Sequence, residues 1–106
     1  MSACTLYVTA ANQAEAEQIG RTLVEERLAA CANVLGAIRS FYWWQGKVQD
    51  EPEVALLLKT RPELVDRVIV RVKELHSYSV PCVVQWPIIA GNPDYIRWLE
   101  AEAKPE

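Results

Sequence analysis

Four consecutive aromatic residues, Phe41-Tyr42-Trp43-Trp44, run directly into Gln45-Gly46, with Lys47-Val48-Gln49-Asp50-Glu51 beyond. Gly46 can take the positive φ that a tight two-residue turn requires, and aromatic and β-branched residues favour extended chain on either side. The stretch from about Ala32 to Thr60 therefore reads as one long hairpin. Each arm reaches about twelve to fourteen residues, or roughly 40 Å at about 3.3 Å per residue. A compact chain of this length has a radius of gyration of about 13 Å and a diameter of about 35 Å. The hairpin must either bend, with Gly36 and Pro52 as bend or bulge points, or carry its aromatic end past its own globule. Even bent, four adjacent aromatics exceed what one side of a lone ribbon can bury. Self-association through the hairpin is expected.

With 106 residues the chain has room for one domain, spanning residues 1–106, and a single core between two packed layers. The net charge of −3 and pI near 5.2 give no electrostatic reason to expect nucleic acid or an anionic membrane. Met1-Ser2-Ala3-Cys4-Thr5 has neither a basic region nor a long apolar run, so no signal peptide and no membrane span is expected. Cys4, Cys31 and Cys82 are far apart and odd in number, which argues against a disulfide framework and a structural zinc site. The expectation is a reduced, cytoplasmic protein.

Thr5-Leu6-Tyr7-Val8-Thr9 reads as a first strand. Asn12 with Glu15 three positions on resembles a capping box. From Gln13 to Ala30, Ala16, Ile19, Leu23, Val24 and Leu28 recur at helical spacing, and Gly20 within that helix is expected to mark close packing on the sheet. The unalternated run Val54-Ala55-Leu56-Leu57-Leu58 predicts a strand covered on both faces. Thr60-Arg61-Pro62-Glu63 opens a second helix with its stripe at Leu64, Val65, Val68, Val72 and Leu75. Cys82-Val83-Val84-Gln85-Trp86 is a fourth strand, and Pro87 points to an edge. Asn92 and Pro93 cap a closing helix through Tyr95, Ile96, Trp98 and Leu99, while Lys104-Pro105-Glu106 is expected to fray. Two βα units joined by a hairpin make an α+β fold, the ferredoxin-like βαββαβ plan. It is an antiparallel sheet with two helices on one face, plus a short C-terminal helix. The bare sheet face is a second demand for cover.

This plan hosts unrelated activities. RNA-recognition domains of the same topology stack bases on aromatics in the middle strands within a basic surface, whereas Val54 to Leu58 is aliphatic and the chain acidic. Thr9-Ala10-Ala11-Asn12 lacks the glycine and the adjacent arginine of an anion-cradling loop. Neither a Gly-rich nucleotide fingerprint nor a Ser-His-acid pattern occurs, so no catalytic residue is assigned. His76 is the one histidine. It is either a helix-end residue bonded to a terminal carbonyl or, with Tyr78 and Cys82 nearby in a Pro81-constrained loop, part of a copper or zinc site. Asp50-Glu51-x-Glu53 reads as a solvated edge or a weak, oxygen-rich cation site.

Glu25-Glu26-Arg27-Leu28-Ala29-Ala30-Cys31-Ala32-Asn33, Ser40 to Val48, Leu56-Leu57-Leu58-Lys59-Thr60, His76-x-Tyr78-x-Val80-Pro81, Pro87-Ile88, Gly91 and Tyr95-Ile96-x-Trp98-Leu99 follow in order. This series resembles the CutA family, the divalent-cation-tolerance proteins, over nearly the whole chain. The resemblance implies a homotrimer whose long hairpins pair between neighbours, similar to PII-type signalling trimers, with no firmly attached reaction. It implies binding of copper or another divalent metal at inter-subunit clefts, with no metal needed for folding. An alternative is a signalling or scaffold trimer that takes a small ligand or partner protein without metal. Tyr42, Trp44, Lys59 and Tyr78 are expected to line the cleft, with His76 and Cys82 as metal ligands. The family's His-Pro-Tyr-Glu-Val-Pro-Glu stretch reads here His76-Ser77-Tyr78-Ser79-Val80-Pro81-Cys82, without either glutamate. Val8 and Leu75 stand where some copper-binding members carry cysteine and histidine. Cys82 as a substitute soft ligand is an inference from its chemistry, not part of the family pattern.

Overall fold

The hairpin is the longest feature of the computed structural model, which describes residues 3–105. Met1, Ser2 and Glu106 lie outside that range, so the expectations for the amino end and for fraying at Glu106 fall outside the described residues. Strand β2 (Cys31–Trp44) and strand β3 (Lys47–Thr60) are joined by Gln45 and Gly46 alone, at φ 52° and 78°. Positive φ at both turn residues is the geometry whose twist matches the flanking strands. The remaining elements are β1 (Cys4–Ala10), helix α1 (Gln13–Glu25), a 3₁₀ turn (Pro62–Leu64), α2 (Val65–Leu75), β4 (Val83–Pro87) and α3 (Pro93–Glu102). The sheet order is β2-β3-β1-β4, with every pairing antiparallel. This is the ferredoxin-like plan expected from the element order, with β3 central and β4 at an edge.

Alternation along β1 and β3 puts Leu6, Val8, Leu56 and Leu58 on one face, all fully buried. Ile19 and Leu23 of α1 and Val68 and Val72 of α2 close over them to form the main core. Gly20 is what lets α1 lie so near: a Cβ there would stand 3.0 Å from Ala32 Cβ. A smaller cluster of Leu64, Ile96, Leu99 and Ala103 ties α3 to the end of the sheet. On the opposite face Tyr7 stacks on Trp86 at 4.9 Å, while Val84 and Trp86 stay exposed. No helix among the described residues is long and apolar enough to cross a membrane.

Helix α1 ends at Glu25, short of the Ala30 that the sequence reading gives it. Arg27 takes φ 59°, its N–H donates to Val24 O at 3.0 Å, and Leu28 N–H donates to Leu23 O at 3.0 Å. That is a Schellman cap with arginine in the position glycine usually fills. The periodic Leu28 belongs to the cap's hydrophobic contact, not to another helical turn. The chain then enters β2, and buried Thr60 donates its hydroxyl to Leu28 O at 2.7 Å. Asn12 caps α1 as expected, accepting from Glu15 N–H at 2.8 Å, but Glu15 reaches back one residue further, accepting from Ala11 N–H at 2.9 Å.

The bend also falls at one of its two expected points. Val34 pairs with Leu56 and Gly36 with Ala55, so Leu35 is extra, and Gly36 takes φ 113°. Pro52 pairs regularly with Arg39. Strand β1 ends at the Ala10–Val54 pair, so from Ile38–Glu53 outward the hairpin is a bare two-stranded ribbon. The ribbon stretches the chain to 44 × 27 × 21 Å with a radius of gyration of 14.1 Å.

Candidate functional site

At the root of the ribbon, the sheet face opposite α1 and α2 meets the connection between α2 and β4. The two enclose a cleft of about 620 Å³. β1 contributes Tyr7 and Thr9, β2 contributes Ser40, Tyr42 and Trp44, β3 contributes Glu53, and the connection contributes Tyr78, Val80 and Cys82. Ile38 faces Glu53 across the ladder, so alternation sets Ser40, Tyr42 and Trp44 on the same side as that carboxylate. Arg39 and Phe41 complete the rim. The Arg39 guanidinium is committed elsewhere, gripping Asp50 at 2.5 and 3.1 Å.

Glu53 is 6% exposed and accepts a hydrogen bond from the Tyr78 hydroxyl at 3.0 Å. Burial and the Glu53 carboxylate together push the Tyr78 phenol far above its ordinary range, so it remains a donor. Burial likewise pushes the Cys82 thiol up, and Glu53 adds to this, while a hydrogen bond with Thr9 works the other way. Cys82 is therefore a thiol rather than a thiolate at neutral pH.

Tyr42, Trp44, Tyr78 and Cys82 thus come together within one subunit. Lys59 does not join them. It stands toward the far end of β3, donating to the Tyr95 hydroxyl at 3.4 Å with its Nζ 5.4 Å from that ring's centre, beside Cys31. His76 is near in sequence but turned inward, its side chain fully buried. Tyr78 N–H donates to Nδ1 at 3.0 Å, so Nε2 carries the proton and donates to Thr9 O at 2.8 Å. Both ring nitrogens are used, and the ring's one free lone pair, on Nδ1, is taken by Tyr78 N–H. Among the described residues no three His, Cys, Asp or Glu side chains gather to hold a metal ion. The described residues of one chain do not fit a closed metal site.

The residue that sequence reasoning passed over is Glu53, grouped there with solvated Asp50 and Glu51. Its signal was available. Counting back by twos from Leu57 through Ala55 places Glu53 on the bare sheet face, where the side chain lies under the connection.

Glu15 anchors that connection from below. Its carboxylate accepts from Ser77 N–H at 2.9 Å and from Ala11 N–H at 2.9 Å, with His76 Nδ1 3.6 Å away. Burial opposes the charge, but these hydrogen bonds outweigh it and hold the Glu15 carboxyl below its usual value. A carboxyl with a depressed folded pKa stabilises the fold above the unfolded pKa, and that contribution is lost as pH falls through the lowered value. Glu15→Gln is expected to lower stability at about pH 7 and to flatten the stability loss in acid. Denaturant midpoints across the acid range check this; an unchanged acid limb would contradict it.

An antiparallel four-stranded sheet backed by two helices, with its middle hairpin run out past the globule and a cleft at the hairpin's root, defines the class of α+β domain to which the chain belongs. Within that class, the chain belongs to the CutA1 divalent ion tolerance protein family, whose model matches residues 4–102. It is 43% identical over 99 residues to the divalent-cation tolerance protein CutA of Pyrococcus horikoshii, covering 93% of this chain and 96% of that one. It is 42% identical to the chloroplastic protein CutA 1 of Oryza sativa over 90% of this chain and 54% of the rice protein. The solved structure of the periplasmic divalent cation tolerance protein CutA from Archaeoglobus fulgidus superposes with a TM-score of 0.92 at 38% identity. That superposition covers 96% of this chain and 99% of that one. The divalent cation tolerance protein (Cut A1) of Thermus thermophilus superposes with a TM-score of 0.92 at 40% identity, covering 94% of this chain and 97% of that one.

Proposed function

We propose that the chain works as a cytoplasmic homotrimer, similar in plan to PII-type signalling trimers, and binds a small ligand in clefts that neighbouring subunits complete. The observation that carries this reading is the unsupported ribbon. Phe41 and Trp43 are 68% and 74% exposed on a two-stranded extension, and an isolated hairpin is marginal in water. Pairing with a neighbour would cover the aromatics and supply the missing strands. Three free thiols support a reducing compartment. The reading assigns no reaction, because the one imidazole is committed to backbone partners and cannot serve Cys82 as a base.

Sedimentation at low micromolar concentration is expected to give a trimer; a stable, well-folded single subunit overturns the reading. A second reading, uptake of copper or another divalent metal, rests on Cys82 and Glu53 sharing the cleft. Its other donors would have to come from neighbouring copies, and binding would be weak. Calorimetric titration of Cu²⁺ or Zn²⁺ into wild type and Cys82→Ser decides it: equal heats, or none, remove Cys82 from any metal site.

A further inference from the structure

The buried acid at the cleft has no positive partner. Among the described residues Glu53 forms no ion pair, and the one side-chain hydrogen bond its carboxylate accepts comes from the neutral Tyr78 hydroxyl. A carboxylate removed from water without a cation is costly, and such groups are normally paired. Arg39, the cation among the residues lining the cleft, is held by Asp50. What surrounds the carboxylate is aromatic: Tyr7, Tyr42, Trp44 and Tyr78 line the same space.

Resting on the reading of this cleft as the ligand site, we infer that its ligand is an aliphatic ammonium ion, with the charged nitrogen against Glu53 and its carbon substituents against the aromatic walls. Three features select this class. The faces of tryptophan and tyrosine attract organic cations, as a buried carboxylate does. An anion would meet Glu53 at once and find no free cationic group within the subunit's cleft. A bare metal ion needs more donors than Glu53 and Cys82, and would leave most of about 620 Å³ unfilled, a volume within the range of small-molecule sites.

The test uses the intact protein with choline and n-butylammonium as probes, and 3,3-dimethyl-1-butanol as the uncharged analogue of choline. Calorimetry and tryptophan fluorescence are the readouts. Saturable binding of at least one ammonium probe is expected, with the neutral analogue weaker by about tenfold or more. Glu53→Gln keeps an acceptor for Tyr78 yet is expected to weaken binding by about tenfold or more. Trp44→Leu, at an exposed position, is expected to weaken it several-fold and remove most of the fluorescence change. No saturable binding by an intact oligomer overturns the inference, as does equal binding of the neutral analogue or an unaffected Glu53→Gln. Binding that appears only in Lys59→Met also overturns it, by making a neighbour's lysine the resident cation. Sedimentation of the same samples separates the two claims. A single subunit that binds choline defeats the shared cleft and leaves the ligand class standing, whereas a trimer that binds neither probe does the reverse.

Discussion

His76→Ala is expected to destabilise the fold by about 3 kcal/mol, because the change leaves a part-buried donor and a part-buried acceptor without partners and empties the space of a fully buried ring. In the native arrangement Nε2–H donates to Thr9 O at 2.8 Å and Nδ1 accepts from Tyr78 N–H at 3.0 Å. Each orphaned group costs about 1–3 kcal/mol, and the space vacated beneath the connection adds to this. The Tyr78 ring, 4.7 Å from the imidazole between centres, loses its support and with it the orientation of its hydroxyl toward Glu53. Denaturant unfolding at a fixed subunit concentration measures the loss. Titration of Cu²⁺ into the same variant separates structural from coordinating roles. A histidine that shapes the cleft from behind leaves metal affinity within a few-fold of wild type, whereas one that coordinates takes most of the affinity with it. A stability change below about 1 kcal/mol would mean that the two hydrogen bonds are replaced by water.

Leu56→Ala is expected to cost more, about 4 kcal/mol, within the range seen for leucines truncated in well-packed cores. Leu56 is fully buried at the centre of the sheet, flanked by Val8 on β1 and Val34 on β2. Helix α1 lies over it so closely that a Cβ on Gly20 would stand 3.5 Å from Leu56 Cδ1. A helix already at that distance from two strands cannot settle into the space left by three missing carbons, so a void remains. The denaturant midpoint should fall while the slope of the transition stays constant. A loss below about 2 kcal/mol would mean that α1 relaxes onto the sheet.

Much of the fold was legible because its determinants are local. Gln45-Gly46 names its turn, Asn12 and Asn92 name their helix starts, and the aliphatic run from Val54 to Leu58 names the central strand. The end of α1 was not legible. Leu28 keeps the helical period but serves the cap, and nothing in the local pattern says that Arg27 will adopt a conformation most often left to glycine. The candidate site divides in the same way. Tyr42, Trp44, Tyr78 and Cys82 could be grouped from motif and chemistry, because turn and strand geometry bring them to one cleft. His76 could not be placed, since whether an imidazole points outward or back toward Thr9 depends on a contact spanning most of the chain. Glu53 was hidden by its neighbours: three acids in four residues look like one solvated group until strand alternation sends Asp50 to Arg39 and Glu53 to Tyr78.

Leu35, the unmatched residue in the long strand, governs the chemistry of a region it does not touch. Before it, odd-numbered residues such as Cys31 and Asn33 share a side with Leu57 and Lys59; after it, even-numbered ones share a side with Glu53. One inserted residue has inverted the odd–even rule, handing the cavity wall to a phenol and an indole and turning Phe41 and Trp43 to the reverse side. A related chain of equal length whose strand ran without this irregularity would present the other pair, and so would offer a different chemical lining from the same string of aromatics.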